Sequence, residues 1–222
     1  MGTSAFVQYL AFAALVGFSA KPVGHYLLHI FERKEPLWRV ERWLYRAAGV
    51  DAEPEMTWAQ YAGAFLLFSL LGTLFLYGVL RLQCLLPGGP DVADLTTPMT
   101  PDLAANTAVS FATTTTWQAY AGESSLKYAA QLVGLASQGF LAGGAGLAVG
   151  FAFLRGFARA GASTLGNFWV DVTRAVLYVL LPLALVLAPF LVWQGVPMNF
   201  APYTHVMTVQ GPLQTIAQGP VA

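Results

Sequence analysis

The sequence predicts an all-α membrane protein, with four transmembrane helices and one short re-entrant pore helix followed by a loop. Three observations carry this. Hydrophobic residues make up 56% of the 222-residue chain and charged ones only 10%, against about 25% charged in a soluble domain. Four stretches each hold the roughly 20 apolar residues a helix needs to cross about 30 Å of hydrocarbon. Between the second and third, Thr100 to Gln118 starts like a helix and ends in four consecutive threonines, with no charge after Asp102. Asn106, Thr107, Ser110, Thr113 to Thr116 and Gln118 make this segment too polar to face lipid. Polar backbone at membrane depth is tolerated only when buried in protein or lining a water-filled path, which is the profile of a pore loop.

The first span runs from about Ser4 to Ala20 and continues as helix toward Phe31. Asp51 to Met56 reads as a turn that opens the second span, about Trp58 to Leu80, which is free of charge. The third lies between Lys127 and Arg155 and carries Gly134, Gly139, Gly143, Gly144, Gly146 and Gly150, small residues that let helix backbones approach closely. The fourth is about Phe168 to Trp193, where Pro182 and Pro189 are expected to bend the helix or free carbonyls. Lys21, Arg33, Lys34, Arg39, Arg42 and Arg46 fall between spans one and two, and Arg155, Arg159 and Arg174 around the turn between three and four. By the positive-inside rule the N-terminus is outside, those two connections are cytoplasmic, and the threonine loop enters from outside. The chain divides into residues 1–57 (first span and basic connection), 58–158 (span, pore loop, span) and 159–222 (fourth span and an external loop opening a further repeat).

Thr100 suits an N-cap, Pro101 the first helical position, and Asp102 the positive end of the dipole. A short pore helix from Asp102 to about Phe111, carrying Asn106 and Ser110, then aims its negative end at the threonines. Carbonyls beyond that end, with threonine hydroxyls, suit replacement of a cation's water shell. A threonine-rich external loop without an ion role is the alternative. Span, loop and span together make the M1-P-M2 unit of potassium-channel architecture, and a filter needs several such loops.

Other features are weaker. His25 and His29 sit four apart on one helix face and suit a metal or haem, or an interfacial position without one. Asp171 and Arg174, three apart, are expected to pair. The stretch from Arg33 to Arg46, with Glu35, Glu41, Trp38 and Trp43, reads as a surface helix on the anionic leaflet, or else as a docking site for partner subunits. Cys84 is the only cysteine, which excludes an internal disulfide. The opening residues lack the basic stretch of a signal peptide. Residues 194–222 are uncharged but broken by Pro197, Pro202, Pro212 and Pro220, and read as an external loop over the pore mouth. Nothing resembles a phosphate-binding glycine loop, a nucleophile with its base, or a nucleic-acid patch.

Asn106 to Phe111, Thr113 to Gln118 with Trp117, Ala119 to Glu123, Ser163 to Asn167, Trp169 to Asp171, Gln194-Gly195, Asn199-Phe200, Pro202-Tyr203 and Gly219 to Ala222 together match a known pattern. The chain resembles the N-terminal part of KdpA, the potassium-binding component of the bacterial Kdp potassium-transporting ATPase. The resemblance to the KdpA family implies a multi-pass protein of the bacterial inner membrane that translocates K+ in an ATP-driven, high-affinity uptake complex. It implies four M1-P-M2 repeats forming one filter, with Thr113, Thr114, Thr115 and Thr116 lining its first quarter and Gln118 close behind. It further implies partners in the form of a separate P-type catalytic pump subunit plus two small accessory subunits. No organic cofactor and no hydrolytic activity are implied for this chain itself.

Two departures stand out. The family strand typically reads Thr-Asn-Thr-Asn before Trp-Gln, whereas Thr114 and Thr116 replace both asparagines here. The family chain is also more than twice as long, so this sequence is expected to hold one loop of four and not to conduct alone. A Trk/Ktr-type channel or symporter subunit working without ATP is the alternative, and a membrane redox protein using His25 and His29 is a more distant one.

Overall fold

The computed structural model describes residues 3–33, 35–87, 95, 97–159, 161, 163–216 and 218–220. Lys34, Val221 and Ala222, which enter the readings above, lie outside the described residues. Helices dominate, and four are long and apolar enough to cross a membrane: Ala5–Phe31, Trp58–Arg81, Ala130–Ala158 and Phe168–Trp193. The shortest has 24 residues. At about 1.5 Å per residue that is about 36 Å, more than the hydrocarbon thickness. The chain falls into two compact units, Met1–Glu53 and Pro54–Ala222.

The first unit holds α1 (Thr3–Phe31) and α2 (Arg39–Ala48). Helix α2 ends at Gly49, whose φ of 65° is left-handed and lets its N–H reach the Arg46 carbonyl. Glu41 is fully buried, and its carboxylate accepts the Leu37 N–H at 2.8 Å and the Tyr45 hydroxyl at 2.7 Å.

In the second unit, α3 (Trp58–Arg81) starts with a capping box between Thr57 and Gln60. A short helix α4 (Pro101–Ala112) packs on its far end, and a single turn α5 (Gly122–Ser125) follows. A π-helical stretch, Ala130–Ala136, runs into α6 (Ser137–Ala158). The last span is α7 (Phe168–Arg174), a second π-helical stretch Ala175–Leu180, and α8 (Leu181–Trp193). Pro182 lacks an N–H and its ring crowds the preceding turn, so the wide turn just before it is where the expected irregularity falls.

One core cluster joins α3 to α4 and α5 through Leu76, Leu80, Met99, Ala104, Ala108, Phe111, Leu126 and Ala130. Polar contacts fix the same end. The Arg81 guanidinium donates to the Met99 carbonyl just before α4. Buried Gln83 donates to the Ser125 carbonyl at 3.0 Å and accepts the Lys127 N–H at 3.1 Å. Gly72 lies so close to Gln138 that an added Cβ would sit 2.6 Å from its amide nitrogen, so any side chain here would displace the Gln138 amide.

The second cluster, at the opposite end of α3, gathers Tyr61, Ala145, Ala148, Ala152, Phe168 and Val172. Beside it lies a buried ion pair. Arg155 donates to both carboxylate oxygens of Asp171, at 2.6 and 3.0 Å, and to the Leu165 carbonyl at 3.0 Å. The Tyr61 hydroxyl lies 2.8 Å from the Ala148 carbonyl and 3.0 Å from Asp171 Oδ2. Asp171 therefore does not take Arg174 as its hydrogen-bonded partner, the pairing that helical spacing predicts. Arg155, sixteen residues away, takes that place because the α6–α7 turn folds it back, while Arg174 adds a second buried positive charge nearby. Outside the span, Glu55 accepts from the Thr164 hydroxyl and from Arg159, and these contacts hold its carboxyl below the usual value of 4.5.

Residues after α8 are not simply loop. Two short strands, β1 (Thr204–Met207) and β2 (Leu213–Ile216), form an antiparallel hairpin with Thr204 opposite Ile216. Pro202 and Pro212 stand just before the strands, where a missing N–H is tolerated. The tail returns to the loop end of the bundle: Tyr128 donates to the Ala201 carbonyl at 2.8 Å and its ring lies 5.8 Å from that of Tyr203. Burial, reinforced by Tyr128 and Glu123, pushes the Tyr203 hydroxyl up to about 12.

Removing one member of a buried ion pair leaves the other charge uncompensated, at about 3–5 kcal/mol, while replacing both by apolar groups is far milder. Arg155→Met should therefore lower the thermal unfolding midpoint in detergent sharply, and Arg155→Met with Asp171→Leu should recover much of the loss. Equal and additive losses would contradict the coupling.

Candidate functional site

Helix α4 begins as its sequence directs. The Thr100 hydroxyl accepts the Leu103 N–H, Pro101 opens the helix and Asp102 lies in its first turn. It ends at Ala112, and Thr113 turns out of the helix with φ −94° and ψ 10°. Beyond it Thr114 and Thr116 have φ of 60° and 53°, the two non-glycine residues with positive φ among those described.

That alternation has a direct consequence for the backbone. Right-handed followed by left-handed residues bring successive N–H groups to one side, in the manner of a nest. Here they converge on the end of α4. Thr113 N–H reaches the Val109 carbonyl at 3.0 Å and Thr114 N–H the Phe111 carbonyl at 3.4 Å. Thr115 and Thr116 N–H both reach the Ser110 carbonyl, at 3.0 and 3.1 Å. Trp117 N–H reaches the Ser110 hydroxyl at 2.7 Å. Among the described residues, no backbone N–H donates to a carbonyl of Thr113 to Thr116. All four threonines are exposed. The end of α4 thus satisfies every backbone donor of the loop from 113 to 117, and the Thr113 to Thr116 carbonyls accept no backbone N–H among the described residues.

Hydroxyls add to that acceptor set. Thr114 Oγ1 donates to the Thr113 carbonyl at 2.7 Å and Thr116 Oγ1 to the Thr115 carbonyl at 2.8 Å. Thr113 and Thr115 hydroxyls lie 3.2 Å apart. Asp102, Asn106, Ser110, Thr113 and Thr115 line one cleft of about 660 Å³ with Trp117. Thr114, Thr116 and Gln118 are not among its lining residues. Gln118 is half-buried and donates to the Tyr120 hydroxyl at 3.2 Å.

His25 and His29 do not gather further ligands. His29 Nε2 lies 3.3 Å from the Arg33 guanidinium, and no group of three His, Cys, Asp or Glu suited to a metal ion occurs among the described residues.

A family model for the potassium-transporting ATPase A subunit, KdpA, matches residues 10–222. The chain belongs to the KdpA family. A potassium-transporting ATPase potassium-binding subunit from Methylobacterium nodulans is 49% identical over 100% of this chain. Subunits of the same description from Rhodospirillum centenum and Solibacter usitatus are 47% and 46% identical, again over 100% of this chain. The chain spans 39% of the length of each of these curated relatives.

The sequence places Ser110 in the pore helix but does not reveal its threefold acceptor role. The signal available is position: the last buried hydroxyl before a run of residues that leave the helix. Tyr61, Gln83 and Arg155 carry no comparable signal as supports of the bundle, because each acts across more than ten residues of chain.

Ser110→Ala removes the acceptor of the part-buried Trp117 N–H, a loss of about 1 kcal/mol for one hydrogen bond. Hydrogen exchange at the Trp117 amide should accelerate at least about fivefold, with the middle of α3 unaffected. Unchanged exchange would remove Ser110 from this role.

Proposed function

We propose that this chain is the potassium-translocating part of an ATP-driven uptake complex, in which Thr113 to Thr116 supply one quarter of a four-loop selectivity filter. The observation that supports it is the loop's pairing, with every backbone N–H from 113 to 117 bonded to the end of α4 and the Thr113 to Thr116 carbonyls accepting no backbone N–H among the described residues. A cation entering such a ring exchanges its water shell for fixed oxygens, and the protein need not distort to receive it. Asp102, Asn106 and Ser110 belong to the pore helix of this reading. The negative end of α4 faces the loop and favours positive charge there. K+ is the cargo, and no organic cofactor enters.

The names of the relatives support potassium as the ion and an ATPase as the assembly, ahead of a channel or symporter working without ATP. On this reading ATP is hydrolysed on a separate P-type subunit, two small subunits complete the complex, and the whole sits in the bacterial inner membrane. The basic residues between α1 and α3 favour an N-terminus outside and a threonine loop at the external mouth.

Gln118 shapes entry just behind the loop. Two like unit charges about 6 Å apart repel by about 3 kcal/mol at an effective dielectric of about 20. Gln118→Arg in the whole protein should therefore weaken potassium uptake about a hundredfold, measured as the K+ concentration for half-maximal uptake in cells without other potassium systems. Unchanged uptake would sink the assignment.

Thr114 and Thr116 test the backbone argument separately. Asparagine enters the left-handed region far more readily than a β-branched residue. Thr114→Asn with Thr116→Asn should raise thermal stability by about 1–2 kcal/mol while leaving K+ preference over Na+ intact. A changed preference would assign selectivity to the side chains instead.

A further inference from the structure

Helix α2 carries three arginines, Arg39, Arg42 and Arg46, spaced three and four apart. At about 100° per residue they fall within about 60° of one another on the helix surface. Together with Trp43 they line a cleft of about 340 Å³. All three are exposed, and no ion pair or hydrogen bond of their guanidinium groups is found among the described residues. The helix's one acid does not neutralise them. Glu41 is fully buried on the other side, held by the Leu37 N–H and the Tyr45 hydroxyl. The remaining acids of this unit, Glu32, Glu35, Asp51 and Glu53, lie in the segments flanking α2 and not on it.

The flank of this arginine face is apolar and open. Trp43 is 65% exposed and Val40 51%, and both lie beside the arginines on the helical surface. Helix α2 begins eight residues after the membrane-length α1 ends at Phe31. A fully extended linker of that length reaches at most about 28 Å, so α2 stays close to the membrane boundary. Arginine next to an exposed tryptophan at that level matches the chemistry of a lipid headgroup region, with phosphate against guanidinium and indole against the upper acyl chain.

We propose that the Arg39, Arg42, Arg46 and Trp43 face of α2 is a headgroup site for an anionic phospholipid. Glu41, fully buried on the opposite side of the helix, leaves that face without an acid to compete with phosphate.

The test uses the protein extracted with its natural partners into mixed micelles of phosphatidylglycerol and phosphatidylcholine, followed by native mass spectrometry of the released chain. Phosphatidylglycerol should be retained in preference to phosphatidylcholine. Each arginine changed to glutamine should reduce that preference about fivefold, and Trp43→Ala should lower retention of both lipids alike. Glutamine is a good helix former, so α2 is kept. Changing all three arginines to lysine should preserve most of the preference, which a loss through misfolding would not do. An unchanged preference in the triple glutamine variant would overturn the proposal. So would displacement by millimolar inorganic phosphate, which would mark a free-anion site. Loss of a partner subunit with lipid retention intact would make the face a protein contact instead. None of these readouts depends on potassium transport.

Discussion

Ser110 holds the loop together by accepting three successive amides, Thr115 and Thr116 on its carbonyl and Trp117 on its hydroxyl. A backbone that leaves a helix must find new partners for its donors. Gathering three of them at Ser110, with Val109 and Phe111 taking those of Thr113 and Thr114, fixes the direction of the peptides from 113 to 117. Much of the second unit then serves to keep α4 in place. Arg81 ties its start to the end of α3, and Gln83 ties the segment after the loop to the same point. The core formed by Leu76, Leu80, Ala104, Ala108 and Phe111 fills the space between.

The opposite end of the bundle is fixed by charge. Arg155 and Asp171 form two hydrogen bonds, and Tyr61 brings α3 to the same carboxylate. A pair this buried is weak evidence of net stability, since desolvation offsets much of the attraction. Its effect is on arrangement: with a carboxylate that must be paired, α6 and α7 can cross in one register only. Gly144, packed against Val172 and Val176, lets α6 and the last span come close, and Gly72 against Gln138 does the same for α3 and α6.

Much of this is legible in the residues. The four spans follow from apolar length, and α4 begins where Thr100-Pro101-Asp102 directs and ends one residue past the expected Phe111. Sequence reasoning fails where a contact crosses the chain. Asp171 has Arg174 at helical spacing, and local reasoning takes the neighbour; the fold supplies Arg155 from sixteen residues away. The hairpin at 204–216 escapes because proline-rich, uncharged sequence after a span reads as loop, and no rule of periodicity distinguishes four-residue strands within it. The π-helical stretch at 130–136 has no proline to announce it. At the threonine run the residues declare the oxygens they carry, but the sign of φ at 114 and 116 appears only in three dimensions.

That sign gives the two threonines a particular meaning. A β-branched residue held at positive φ stores about 1–3 kcal/mol of strain. Here each such hydroxyl bonds to the carbonyl just before it, at 2.7 and 2.8 Å. The bonds help offset the strain, and they place a donor against the very carbonyls, Thr113 and Thr115, that the proposed filter offers to an ion. In the proposed filter a cation approaching those oxygens would repel the hydroxyl proton, which would rotate away and leave a second oxygen lone pair beside the first. In the asparagine-containing pattern the left-handed conformation needs no such support. On the proposed filter reading, threonine at 114 and 116 would couple backbone strain to ion occupancy, so that empty and loaded loops would differ in stability more than with asparagine.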